Sequence, residues 1–193
     1  MKIGLFFGSF NPVHVGHLVI AQAVLNETEL ERVWMVVSPQ NPFKQKKNLL
    51  REYDRLRIVE LATEDNRDIE ASNVEFVLPT PSYTVDTLLH LSEKLPSHDF
   101  SLVMGEDNLA HLHKWKNYEA ILEHYPIYCY PRLGKAEDQA MWEKYPQVTR
   151  FEMPYLDISA TRIRNMIRKG KDVRYLIPDG AYEYLKKEEF YSE

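Results

Sequence analysis

The ten residues Gly8-Ser9-Phe10-Asn11-Pro12-Val13-His14-Val15-Gly16-His17 constrain this chain more than any other stretch, because of what flanks them. Lys2 to Phe7 is a largely apolar run with strand character that stops at Gly8. From His14 to Leu30, apolar residues at Leu18, Ala21, Val24 and Leu25 keep a helical spacing. Strand, tight turn and helix in that order open an alternating α/β chain. Such a turn also suits an anion. Gly8 lets the backbone come close to a ligand, and the first helical turn presents unpaired N–H groups and the positive end of the helix dipole. His14 and His17 share one face of that turn. Gly16 between them leaves space for a base or a ribose against the helix.

The rest of the chain continues the alternation. Arg32 to Ser38 reads as a second buried strand, and Pro39 and Pro42 then break regular structure ahead of a basic loop. A helix is expected over Arg51 to Glu64, with Leu56, Val59 and Ala62 on its apolar side. Ser82-Tyr83-Thr84 has the character of an N-cap region for a helix that stops at Pro96. Phe100 to Met104 is a third strand ending at Gly105, Pro126 to Tyr130 a fourth and Val148 to Met153 a fifth. Ser159 caps a helix whose Ile163 and Ile167 face inward, and a last helix begins near Asp179. The pattern predicts one domain over residues 1–193, with 159–193 as a small C-terminal helical part. Its fold class is α/β, a Rossmann-like doubly wound, mostly parallel sheet with helices on both faces. Ligands in such folds bind beyond the carboxyl ends of the strands, where Gly8 and Gly105 both stand.

Charge and composition narrow the function. A net charge of −5 argues against a nucleic-acid surface, which is usually basic. The run from Ile3 to Phe7 is too short for a signal segment and nowhere do eighteen apolar residues follow one another, so no membrane span and a cytoplasmic protein are expected. The single cysteine, Cys129, excludes an intrachain disulfide, and its apolar neighbours suggest a buried thiol. Basic residues nevertheless cluster, at Lys44, Lys46, Lys47, Arg51, Arg55 and Arg57 and again at Arg162, Arg164, Arg168, Lys169, Lys171 and Arg174. For most of them the ordinary reading is a solvated helix face. Two such segments in an acidic chain also suit a small substrate with several phosphates. The Gly8 turn matches neither G-x-G-x-x-G nor the P-loop ending in Gly-Lys-Ser/Thr. Its two histidines have no third metal ligand nearby in sequence, so a phosphate role is favoured and no protein metal ligand is nominated.

The turn resembles that of the HxGH-type nucleotidyltransferases, Gly-Gly-x-Phe-Asp-Pro-x-His-x-Gly-His, with Ser9 where a second glycine is common and Asn11 where aspartate is common. Ile158-Ser159-Ala160-Thr161-Arg162-Ile163-Arg164 is similar to that family's Ile-Ser-Ser/Ala-Thr-x-Ile-Arg. Three further segments resemble the nicotinate-mononucleotide enzymes of the family: Pro81 to Leu88, Val103 to Asp107, and Lys114-Trp115-Lys116. The resemblance implies adenylyl transfer from ATP to nicotinate mononucleotide in NAD biosynthesis, giving deamido-NAD and pyrophosphate, with Mg²⁺ held mainly by the ATP phosphates. It implies that His14, His17 and Arg164 are catalytic and that Gly8, Ser9, Phe10, Gly16, Gly105, Asp107, Ser159 and Thr161 bind ATP. Lys44, Thr84 and Trp115 then bind the acceptor. Read without the family, Thr84 is an N-cap, Trp115 a packed core aromatic and Asp107 a helix cap. Another acceptor such as nicotinamide mononucleotide, or a non-catalytic nucleotide-binding protein, are the competing functions.

Overall fold

The computed structural model describes residues 1–40, 49–132 and 144–192. Six parallel strands make one sheet in the order β3-β2-β1-β4-β5-β6. They are β1 Lys2–Gly8, β2 Arg32–Val37, β3 Ile69–Ser72, β4 Asp99–Gly105, β5 Ile127–Tyr130 and β6 Val148–Arg150. Around them lie α1 Val15–Glu27, α2 Glu52–Thr63, α3 Thr84–Lys94, α4 Glu106–Leu109, α5 Tyr118–His124, α6 Ala160–Arg168 and α7 Asp179–Lys187. Among the described residues no helix is long and apolar enough to cross a membrane.

The strands explain why there are two cores. Successive side chains of a strand point to opposite faces. On one face Val33, Met35, Val103, Tyr128 and Tyr130 pack with Ala21 and Val24 of α1, Ile58 and Val59 of α2, Ile163 of α6 and Leu185 of α7. On the other, Ile3, Leu5, Val36, Leu102, Met104 and Cys129 pack with Leu88 and Leu91 of α3, Leu109 of α4 and Ile121 of α5. The expected doubly wound α/β sheet is therefore present. Cys129 is fully buried and its thiol is pushed well above the usual range, chiefly by burial, which makes it a packing residue.

Two details differ from the sequence reading. The edge strand β3 has no expected counterpart, because only Ile69 of its four residues is buried and there is little apolar signal to see. β6 ends at Arg150 rather than running to Met153. Phe151 still donates its N–H to the Cys129 carbonyl at 3.1 Å.

Candidate active site

β1 and β4 lie side by side at the centre of the sheet. The chain leaves β1 toward α1 on one face and leaves β4 toward α4 on the other, so a crevice opens beyond their carboxyl ends. A cleft of about 490 Å³ occupies this place, and Ser9, His14, His17, Asp107, Arg132 and Arg164 are among its walls. A smaller cavity of about 140 Å³ adjoins it, with Glu75, Ser82, Thr84, Trp115 and Lys116 in its walls. The two share Phe7, Gly8, Ser9, Val103, Met104 and Asn108, so they meet over the ends of β1 and β4.

The loop from Ser9 to His14 is held in one shape by packing and by cations. Phe10 is in the left-handed region at φ 42° and its ring folds back over Gly8, where an added Cβ would stand 2.7 Å from the ring. The same ring meets His17 edge-on at 5.1 Å. Arg55, from α2, is fully buried beneath this loop. It donates to the carbonyls of Ser9 at 2.7 Å, Ser38 at 2.8 Å, Leu50 at 3.0 Å and Pro39 at 3.3 Å. One guanidinium thus ties together the turns that follow β1 and β2. The solvated-face reading of the first basic cluster fails at Arg55, because four backbone carbonyls converge where its side chain enters the protein.

His14 is the residue before α1 and is 5% exposed, while His17 is half-buried. Their rings stack at 3.7 Å with an interplanar angle of 26°. The backbone N–H of His14 donates to Nδ1 of His17 at 3.2 Å. A neutral His17 therefore carries its proton on Nε2, as a donor. Burial, with a smaller contribution from the nearby Arg132 cation, pushes His14 down to about 4. At neutral pH the stacked pair thus avoids two adjacent positive charges.

α6 brings the second expected segment to the same cleft. Ser159 caps this helix, its hydroxyl accepting from the Arg162 N–H at 3.3 Å. Arg164 donates from one terminal nitrogen to the Asn11 carbonyl at 2.7 Å and from the other to the Thr161 hydroxyl at 3.2 Å. Its Nε is buried with no partner, and each terminal nitrogen has a second N–H to offer. Gly16 packs closely against the His14 ring, since a Cβ there would come within 3.1 Å of Nδ1.

At the smaller cavity, Thr84 is the first residue of α3 and Tyr83 is its N-cap, so the plain-cap reading of Thr84 does not hold. The first free helical N–H groups belong to Thr84 and Val85, since the Asp86 and Thr87 N–H groups are already bonded to the Tyr83 carbonyl at 3.0 and 3.2 Å. Trp115 is half-buried, one edge against the core and the rest on the cavity. The neighbouring Lys116 spans the opening, with Nζ 2.8 Å from Asp86 and 4.9 Å from the Tyr83 ring.

Of the expected site residues, Gly8, Ser9, Phe10, His14, Gly16, His17, Asp107, Ser159, Thr161 and Arg164 all line the larger cleft. Thr84 and Trp115 line the smaller one. Gly105 sits behind the wall as the residue before α4, and Lys44 lies outside the described residues. Asp107 is not the cap of α4; it is in the first turn and accepts from Arg132 Nε at 3.3 Å. Sequence reasoning missed Arg132 and Glu75. Arg132 follows the end of β5 and lines the cleft, which a basic residue just past a buried strand could have signalled. Glu75 is 2% exposed at the floor of the smaller cavity, where burial pushes its carboxyl up and the Thr87 hydroxyl donates to it at 3.0 Å.

Comparison with known proteins agrees with this geometry. The cytidylyltransferase-like family model matches residues 5–166. Over 193 residues, all of each chain, this protein is 50% identical to one from Flavobacterium johnsoniae named "Probable nicotinate-nucleotide adenylyltransferase". Identity to a protein of the same name from Flavobacterium psychrophilum is 48%, again over 193 residues and the whole of both chains. The fold is also that of a Plasmodium falciparum nicotinic acid mononucleotide adenylyltransferase complexed with NaAD, with a TM-score of 0.84, 19% identity, and coverage of 99% of this chain and 97% of that one. With two histidines and an arginine brought to one cleft by segments that the family match spans, the chain belongs to the cytidylyltransferase-like family, among the nicotinate-nucleotide adenylyltransferases.

Proposed function

We propose that this chain, acting as one catalytic unit over residues 1–193, transfers the adenylyl group of ATP to nicotinate mononucleotide, releasing pyrophosphate and forming deamido-NAD. The observation that carries the reading is the junction of the two cavities at Gly8 and Ser9. ATP in the larger cleft and the acceptor in the smaller one would meet there, phosphate to phosphate.

The reaction asks little covalent chemistry of the protein. An oxygen of the acceptor phosphate attacks the α-phosphorus, a new P–O bond forms, and the bond to the β-phosphate oxygen breaks. Catalysis is then alignment and stabilisation of the charge that builds on the phosphates. His17 donates from Nε2, His14 donates as a neutral ring, and the remaining N–H groups of Arg164 face the same oxygens. Ser9, Phe10 and Gly16 shape the loop and helix start against the triphosphate, while Ser159 and Thr161 hold α6 and Arg164 in place. Asp107 and the Gly105 turn hold the nucleoside end, and Arg132 adds a second cation there. A Mg²⁺ would be held mainly by the ATP phosphates and water. Bound there, it would supply positive charge against the leaving pyrophosphate.

At the acceptor end Trp115 stacks on the pyridine ring and the free N–H groups at the start of α3 near Thr84 meet the nicotinate carboxylate. A nicotinamide amide would set an NH₂ against those donors. Leaving a buried polar group unpaired costs roughly 1–3 kcal/mol, a preference on the order of ten- to a hundredfold for nicotinate mononucleotide. Pyrophosphate release with ATP and each acceptor tests both levels. Release with neither acceptor would overturn the function, and equal efficiency with the two would overturn only the acceptor.

A further inference from the structure

Just beyond α7, Tyr191 is buried with its hydroxyl against the loop that follows Gly8. Its ring is 9% exposed and is part of the core that packs on α1, α2, α6 and α7. Its hydroxyl donates to Oδ1 of Asn11 at 2.6 Å, across 180 residues of sequence. The same Oδ1 accepts the Leu50 N–H at 3.2 Å. The Asn11 carbonyl, on the other side of that residue, is the acceptor of Arg164 at 2.7 Å. Asn11 is 7% exposed, so these bonds form away from water. Tyr191 is not among the residues that line the cleft, and its hydroxyl therefore has no direct route to substrate.

We infer that Tyr191 is a positioning residue for adenylyl transfer: by holding the side chain of Asn11 it fixes the loop before His14 and, through the Asn11 carbonyl, the aim of Arg164. The hydrogen bond adds a side-chain hold at Asn11 to the packing and cations that already brace the loop. Asn11 is three residues from His14, and among the described residues its carbonyl is the loop atom that Arg164 bonds. If Asn11 turns, Arg164 loses its backbone acceptor and the loop leading to both histidines loses one of its holds. Burial also pushes the Tyr191 phenol up, against the opposing pull of the Arg164 and Arg55 cations, so it remains a donor throughout the working pH range. Asparagine supplies at position 11 a side-chain oxygen that can accept this bond, as the aspartate common in the family would.

The inference rests on the proposed function for its kinetic arm and stands apart from it in its structural arm. Tyr191→Phe keeps the ring and removes only the donor. With ATP and nicotinate mononucleotide we expect kcat to fall about tenfold, the scale of one hydrogen bond, with KM for ATP within about twofold. In an Arg164→Lys background the same substitution should change kcat by less than about threefold, since the group it aims has already been altered. Hydrogen exchange in the free protein is the structural arm. Amides of residues 9–17 should exchange several-fold faster in Tyr191→Phe while those of β5 keep their rate; a merely looser fold would speed both. An unchanged kcat, an undiminished loss in the Arg164→Lys background, or unchanged exchange at residues 9–17 overturns the inference. Should Tyr191→Phe fail to fold, Asn11→Ala removes the same bond from the other side, and wild-type kcat in that variant overturns it equally. If the wild type itself releases no pyrophosphate, the proposed function fails and the exchange measurement still decides the role of Tyr191.

Discussion

The two ends of the cleft are built on different plans. The phosphate end is assembled from residues far apart in the chain, cross-braced and mostly buried: Arg55 under four carbonyls, Asn11 between Tyr191 and Arg164, His14 stacked on His17. The acceptor end is made of short local pieces: the start of α3, a single 3₁₀ turn before Trp115, and the ion pair of Lys116 with Asp86, whose side chains are 43% and 45% exposed. On the proposed function, chemistry at the first end rests on buried bracing, and affinity at the second rests on exposed local pieces. Chemistry common to the family would thus sit on the rigid part and acceptor choice on the adjustable one.

The sharpest way to break this contrast is Arg55→Leu. It leaves the carbonyls of Ser9, Ser38, Pro39 and Leu50 without their donor inside the protein, and leaving a buried acceptor unsatisfied costs about 1–3 kcal/mol each. Urea melts of the variant should show a loss of this size together with a loss of turnover. A cost under about 1 kcal/mol would mean that the phosphate end is not braced by Arg55. Next in size is His17→Ala. Removing one preorganised donor to a developing oxyanion lowers kcat by about 10²–10³-fold, while stability should stay within about 1 kcal/mol because His17 is only half-buried. A variant that is destabilised yet fully active would reverse the roles given to His17 and Arg55.

His14 sharpens the comparison through pH. Its folded value, about 4, lies below the ordinary 6.5. The unfolded chain therefore takes up the proton first as pH falls. The stability linked to His14 is complete above about 6.5 and is lost as pH drops from there through 4, on the order of 2–3 kcal/mol in all. Denaturant melts at pH 7 and pH 4 should show a smaller acid loss for His14→Asn than for the wild type. Equal losses would show that His14 is not held neutral by its surroundings.

These expectations mark how far the sequence could be read. β1, β2, β4 and β5 are near-continuous apolar runs, and both Gly8 and Gly105 were placed at strand ends by pattern alone. The Ser159 cap and the inward Ile163 followed from helical spacing. The edge strand β3 was illegible because three of its four residues are only partly buried, and Phe151 resembled strand because it is buried beyond the strand's end. Within the site, residue types and loop positions were legible, but the bracing was not. An arginine among other basic residues on α2 reads as solvated until the carbonyls around it are known. Nothing local to Tyr191 or Asn11 announces a bond across 180 residues. Such contacts are set by tertiary packing, to which neither periodicity nor capping rules respond.

The smallest effect, at the adjustable end, tests whether that end is as independent as it looks. Lys116 holds Asp86, in the first turn of α3, at 2.8 Å, and so links the Trp115 turn to the helix start on the smaller cavity. Exposed pairs of this kind contribute less than about 1 kcal/mol, since water and salt compete for both charges. Lys116→Ala should therefore leave the urea midpoint nearly unchanged and leave KM for ATP alone, while raising KM for nicotinate mononucleotide by about two- to fivefold. Salt supplies the control. Exposed charges are screened over about 3 Å at 1 M and about 10 Å at 0.1 M, so the difference between wild type and variant should shrink as salt rises. If KM for ATP rises with that for the acceptor, the two ends are mechanically joined through the Gly8–Ser9 junction, and acceptor choice is then tied to the same bracing as the chemistry.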